Sequence, residues 1–336
     1  MKFIVHIGVN KTGTSSLQRA YFDNRDLLAE QGIFYPQTGI ETAAHHNVAR
    51  ALGGAKPAAL GMAGNWQEEL RKECAGKALC VLSSELFHTL PRPEVVTALC
   101  PPGDTRIVIY IREHAAHIVS WYQQAIQSRN TSLTLEEFVE FFAVSYAKRI
   151  AGWQRAYGAE NVVARLYDRK ALKAGDIVAD FSNFVQPGIE AVFRSADHAS
   201  NPSIAGNLLF VKRLLNCFLS KPESLAVANE VAALASLDPS FAGKIAVEQG
   251  VIDRIRFLSR GDRNQLKESL GLVMRPRKTP IAGTKYPDFG CLGADLQRIT
   301  EAARQRNFRL ADHLQRMIDI FEPVLLQPAR SSNDAA

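Results

Sequence analysis

The stretch FIVHIGVNKTGTSSLQ, residues 3–18, decides how the chain is read. It opens as an apolar run, passes through a turn rich in Gly, Lys, Thr and Ser, and ends as the start of a helix. Strand, turn and helix in that order describe a phosphate-binding loop. Gly8 and Gly13 have the separation of the G-x-x-x-x-G-K-[ST] loop, but the lysine is displaced: Lys11 precedes the second glycine and Thr14 stands in its place. The glycines permit close backbone approach, and the helix presents unpaired N–H groups of residues 13–16 with the positive end of its dipole. Thr12, Thr14, Ser15 and Ser16 add hydroxyls, and Lys11 adds a full charge. The stretch predicts a site for a 5′-phosphate or diphosphate-like group.

Outward from this loop, strand-like and helix-like segments alternate. Strands are predicted at 2–8, 32–36, 78–84, 106–111 and 161–167, with helices at 14–31, 66–76, 114–128, 135–158 and 176–185. Continuous apolar strands separated by helices predict a parallel sheet covered on both faces, a three-layer α/β fold of the P-loop kind. Beyond about residue 201 only helical periodicity is found, at 204–220, 225–237, 246–272 and 295–321. The expected organisation is an α/β core over 1–200, a helical extension packed on it over 201–326, and a flexible tail over 327–336.

The 336 residues are 46% hydrophobic and 22% charged, a globular composition. A net charge of +6 favours an anionic ligand. No basic stripe interleaved with aromatics accompanies that charge, so nucleic acid is not expected as a partner. The five cysteines are scattered without C-x-x-C spacing, which excludes a disulfide framework and a zinc site. No signal peptide and no 18-residue apolar run is seen, so the expectation is a cytoplasmic chain without an integral membrane segment.

A second motif sharpens the first. RIVIYIREHAAHIVSWY (106–122) reads as a buried strand ending in Arg112, then a helix carrying Ser120. The carboxyl end of a central strand is where open α/β sheets bind ligands. An arginine there calls for an anion, where a nucleoside triphosphatase would more often offer a carboxylate for Mg²⁺.

With KTGTSS (11–16) and YIREHAAHIVSWY (110–122) in hand, the chain resembles the sulfotransferase superfamily, which uses 3′-phosphoadenosine 5′-phosphosulfate (PAPS) and releases PAP. The similarity covers roughly residues 2–200, is closest to bacterial members, and is thin in the C-terminal helices. It implies that Lys11 contacts the bridge oxygen to the sulfate, and that Thr12, Gly13, Thr14 and Ser15 hold the 5′-phosphate. Arg112 and Ser120 would hold the 3′-phosphate. Ser16 departs from the pattern, since cytosolic members place there an aromatic that stacks on adenine; Trp153 and Tyr167 are the alternatives for that role.

Sulfuryl transfer to a hydroxyl needs a base. Glu85, directly after the strand at 78–84, is the first candidate, because the resemblance puts a catalytic histidine or glutamate after that strand. His45 and His46, in ETAAHHNVAR (41–50), compete with it. His114 and His117 read as structural, and the aromatics of 138–146 as core. Arg275, Arg277 and Lys278 read as a solvated charge run. The expected activity is sulfuryl transfer from PAPS to a hydroxyl, or as second choice an amine, of a small molecule, lipid or glycan, with no metal required and the oligomeric state open. The rivals are a P-loop kinase or nucleotide hydrolase, and a non-catalytic binding protein of the same fold.

Overall fold

The computed structural model describes residues 1–129, 131–142, 144–194 and 203–325. The apolar runs form one five-stranded sheet from β1 (Lys2–His6), β2 (Ile33–Phe34), β3 (Leu79–Ser83), β4 (Thr105–Ile111) and β5 (Val162–Leu166). The order is β2-β3-β1-β4-β5 and every pairing is parallel. In β4, Ile107 to Ile111 are all 0% exposed, so residues of both alternations are covered, as a parallel sheet requires. From β1 the chain moves to β2 on one side, returns through β3, and crosses to β4 on the other. The loop after β1 therefore lies at the switch in strand order, where such sheets take ligands.

The helices, in chain order, are α1 (Thr14–Asp23), α2 (Arg25–Glu30), α3 (His46–Leu52), α4 (Trp66–Cys74), α5 (His114–Arg129), α6 (Leu135–Phe141), α7 (Tyr146–Tyr157) and α8 (Ile177–Val185). They continue with α9 (Gly206–Phe218), α10 (Lys221–Ala226), α11 (Ala228–Leu237), α12 (Gln249–Leu258), α13 (Arg260–Leu270), α14 (Leu292–Gln305) and α15 (Leu310–Leu325). The chain divides into two compact units that interleave along the sequence. The described parts of the first are 1–114, 144–194 and 259–276; those of the second are 115–129, 131–142, 203–258 and 277–325.

The first unit holds the sheet. Leu17 and Tyr21 of α1 and Ile177 and Phe181 of α8 close over Ile4, Val81, Val108 and Tyr110. Asp176 caps α8 by accepting from the amides of Val178 and Ala179 at 2.8 and 2.9 Å. Helix α7 packs on β4 and β5, and α13 packs on α7. The second unit is helical, with α14 against α9 and α15. Inside it the buried Lys212 ammonium donates to Asn216 and Ser224 at 2.5 and 2.6 Å.

Several elements differ from expectation. The helix expected over 135–158 is two, α6 and α7, and the Asp262 carboxylate starts the second by accepting from the amides of Tyr146 and Ala147 at 3.1 and 2.9 Å. The helix expected over 246–272 breaks at Ser259 into α12 and α13, which belong to different units. The one expected over 295–321 breaks near Asn307, whose φ of 53° is left-handed. Phe141, expected in the core, is 73% exposed, whereas Phe138 and Tyr146 are buried. The expected boundary at residue 200 and the tail 327–336 lie outside the described residues.

Candidate functional site

The β1 strand pairs as far as Ile7, whose N–H donates to Val108 O at 3.0 Å; the chain then leaves the sheet. A Cβ on Gly8 would lie 2.5 Å from Thr14 Cγ2, and one on Gly13 would lie 2.9 Å from Tyr167 Cε2, so both glycines are demanded by close approach. Lys11 and Gly13 adopt left-handed φ values of 66° and 77°. Helix α1 has no side-chain cap and no acidic residue in its first turn. Its opening N–H groups are thus left for an outside acceptor, beside the Lys11 charge. These features fit an anionic group such as the 5′ end of PAPS.

The hydroxyls are partly engaged within the protein. Thr12 is buried and its Oγ1 donates to Val9 O at 2.6 Å. Thr14 is buried and its Oγ1 donates to Glu85 Oε2. Ser15 and Ser16 are exposed. Gly13 and the amides around it, more than the threonine hydroxyls, face the role expected of this loop.

Arg112, one residue past β4, donates from Nη1 to Lys11 O at 3.1 Å and lies over the Tyr167 ring at 5.9 Å from its centroid. It is half-buried, and burial pushes its pKa down against the opposing pull of Tyr167, Tyr146 and Glu113. Tyr167 follows β5, where its N–H donates to Ile111 O at 2.7 Å. Lys11, Gly13, Arg112 and Tyr167 thus meet at the carboxyl ends of β1, β4 and β5. Ser120, the other expected 3′-phosphate ligand, is half-buried on α5 and belongs to the second unit.

Glu85 follows β3 and is held by Thr14 from the loop. Burial lowers the Lys11 pKa, Glu85 raises it, and Arg112 lowers it further. The Lys11 ammonium thereby interacts with both a carboxylate and a guanidinium. His46 Nδ1 is hydrogen bonded to Ser84 Oγ at 2.7 Å. Burial lowers its pKa, Glu85 and Glu41 raise it, and Arg50 lowers it. His46 and Glu85 therefore stand as electrostatic neighbours.

His45 is different. It is 0% exposed, Nδ1 accepts from Ser83 N at 3.1 Å, and Nε2 donates to Pro36 O at 2.9 Å. Burial pushes its pKa down to about 4. With both nitrogens occupied and no exposed edge, His45 fixes backbone and is not placed to take a proton from an acceptor. That corrects its standing as a candidate base.

Trp153 is likewise corrected as an adenine platform: it is 1% exposed and stacks on Tyr157 at 5.8 Å. Of the two aromatics considered, Tyr167 is the one beside the loop. His114 donates to Asp262 at 2.9 Å and is buried. Arg277 turns its guanidinium onto Thr279 O and Pro280 O of its own segment, each at 3.0 Å. Among the described residues no group of three or more His, Cys, Asp or Glu is arranged to hold a metal ion, and no described helix is long and apolar enough to cross a membrane. Ser84, which seats His46, and Asp262, which starts α7, were not anticipated, since each acts on residues distant in sequence.

No family model matches the chain. An uncharacterized protein of Archaeoglobus fulgidus is 27% identical over 139 residues, which are 40% of this chain and 38% of that protein. The chain thus matches well under half of that relative's length. Among solved structures, a sulfotransferase from Alicyclobacillus acidocaldarius is similar at a TM-score of 0.40 and 16% identity, over 69% of this chain and 96% of that one. At such a score the similarity is loose, and the chemistry has to be argued from the site itself.

Proposed function

We propose that the chain is a PAPS-dependent sulfotransferase acting on a hydroxyl, or as second choice an amine, of a small molecule, lipid or glycan. The observation that supports this most is the setting of Lys11, whose carbonyl accepts from the strand-end arginine Arg112 and whose charge interacts with the strand-end carboxylate Glu85. In this reading the N–H groups of residues 13–16 hold the 5′-phosphate and Arg112 the 3′-phosphate. Bound PAPS supplies an activated sulfuryl group with PAP as the leaving group. Lys11 neutralises charge that develops on the leaving oxygen. Glu85 takes the acceptor proton as the new S–O bond forms, and His46 beside it orients the acceptor or shares the proton. The cations and the helix dipole do the charge work, so no metal is called for.

A second reading, a P-loop kinase or nucleotide hydrolase, draws on the hydrogen bond from Thr14 to Glu85. A loop hydroxyl and a strand-end carboxylate are what hold Mg²⁺ in such proteins. Against it, Thr14 occupies the lysine position of that loop, and Lys11 comes before Gly13.

A thermal-shift titration with PAP, and separately with ATP and Mg²⁺, separates the two. A ligand at about 100 times its dissociation constant adds roughly 2.7 kcal/mol of stability. The expected result is stabilisation by PAP without metal, lost in Arg112→Ala. A metal-dependent response to ATP with none to PAP overturns the proposal in favour of the kinase.

A further inference from the structure

The second unit carries a charged cavity that the chemistry proposed for the first unit leaves unused. Its volume is about 240 Å³, below the roughly 300 Å³ at which drug-sized pockets begin and enough for a small metabolite. Helix α9 supplies one wall through Arg213, and the start of α6 another through Thr134 and Glu136. Val247 and Glu248, just before α12, form a third. That last segment is pinned by a two-way backbone bridge, Val247 N to Ile281 O and Ile281 N to Val247 O, each at 3.0 Å. Ala246 N also donates to Thr284 O at 2.8 Å, and Tyr286, two residues on, lines the same cavity. All of these residues belong to the second unit.

The charges on the walls are uncompensated. Arg213 is half-buried and enters no ion pair among the described residues, and its Nε is buried without a hydrogen-bond partner. Its guanidinium carbon lies over the Phe210 ring, 5.3 Å from the centroid. Stacking of that kind uses the face of a guanidinium and leaves its N–H edge for a planar anion. Glu136 and Glu248 are exposed and likewise enter no ion pair among the described residues. Tyr286 adds an acceptor. Tyr122 donates its one hydroxyl proton to Leu133 O at 3.0 Å, so in its 2.8 Å bond with Tyr286 it accepts. The Tyr286 proton is thus engaged with Tyr122, and the Tyr286 oxygen is left to accept.

An occupant has to answer both signs at once. A simple anion drawn to Arg213 would sit against two carboxylates, and a simple cation drawn to the carboxylates would sit against Arg213. In a recess less polarisable than bulk water either mismatch is costly. A molecule with both charges meets neither penalty. We propose that the cavity binds a small zwitterion, with its carboxylate on Arg213, its ammonium toward Glu136, Glu248 and the Tyr286 oxygen, and a short aliphatic spacer against Leu135, Val247 and Val251. Nothing in this site draws on PAPS chemistry in the first unit, so the two readings stand or fall separately.

Thermal-shift titration of the full chain tests the site with probes of defined charge: 4-aminobutyrate, 6-aminohexanoate and leucine as zwitterions, butyrate as the anion, and butylammonium as the cation, all at one ionic strength. Arginine side-chain ¹⁵N NMR follows the Arg213 Nε–H in the same titrations. At least one zwitterion should stabilise the chain and move that resonance, with a Kd about tenfold or more below those of butyrate and butylammonium. Arg213→Gln should weaken its binding about tenfold or more. The double variant Glu136→Gln/Glu248→Gln should weaken it as well, and because both side chains are exposed it should melt near the wild-type temperature without ligand. The double variant therefore decides the matter even if Arg213→Gln fails to fold. No response to any zwitterion, an Arg213 resonance that stays still, butyrate or butylammonium bound as tightly as the best zwitterion, or undiminished affinity in the double variant would each overturn the proposal.

Discussion

Lys11 holds its charge at a left-handed φ of 66°, a conformation in which an L-residue with a long side chain is strained. Strain and charge can be separated by two substitutions. Lys11→Gly removes the cation and relieves the backbone, so it should stabilise the fold by about 1 kcal/mol while lowering PAPS turnover roughly 10²-fold or more. Lys11→Ala should lose the same turnover without the gain in stability. Urea denaturation and steady-state assays read the two effects, and a Lys11→Gly chain that is both active and no more stable would contradict both roles. Glu85→Gln tests the neighbouring charge. Glu85 raises the His46 pKa against burial, so its removal should move the His46 titration further down, which NMR follows directly. Arg112 and Glu85 stood out in the sequence because each follows an apolar strand, and Lys11 because it lies among the glycines, threonines and serines of the turn after β1. The Thr14–Glu85 bond and the Ser84–His46 bond did not, because partners 71 and 38 residues apart carry no local signature.

Helix α7 shows how an element depends on a distant residue. Asp262, on α13, accepts from Ala147 N and Tyr146 N at 2.9 and 3.1 Å, from Ser145 Oγ at 3.2 Å, and from His114 Nε2 at 2.9 Å. Burial works to raise its pKa, but His114 and the two amides outweigh burial and hold the carboxyl below its usual range. A helix cap contributes about 1 kcal/mol and a hydrogen bond to a charged group about 1.5–3 kcal/mol, so Asp262→Ala should destabilise the first unit by about 3 kcal/mol. Asp262→Asn, which keeps one acceptor, should fall between. A loss below about 1 kcal/mol in urea titration would mean that α7 starts without this cap. The sequence showed apolar periodicity running unbroken through 135–158 and 246–272. Periodicity reports which face is buried; it is silent on where a carboxylate from another element interrupts the helix. The parallel strands, by contrast, were legible as apolar runs because both their faces are covered, which leaves no polar alternation to confuse them.

Across the whole molecule, the interleaving of the two units went unread in the sequence, since packing between segments distant along the chain leaves no local signature. The response of the first unit to acid, however, follows from residues already placed. His6 and His45 are fully buried, with pKa values lowered by burial from 6.5 to about 3 and about 4. In the unfolded chain both take up protons as the pH drops past 6.5, while in the folded chain they stay neutral. The unfolded state then binds more protons, so stability rises with pH across this window. Their contribution is complete above the ordinary histidine pKa of 6.5 and is lost as pH falls, until about pH 4 for His45 and about pH 3 for His6. Each should contribute a slope approaching about 1.4 kcal/mol per pH unit within its window. Urea denaturation between pH 7.5 and 4.5 should therefore show a steep decline that begins near pH 6.5, well above the carboxylate range. His6→Asn and His45→Gln should each flatten it by about one proton's worth, whatever they cost in absolute stability. A stability that stays level from pH 6.5 to 5 in the wild-type chain would mean that these two imidazoles are not held neutral in the folded first unit.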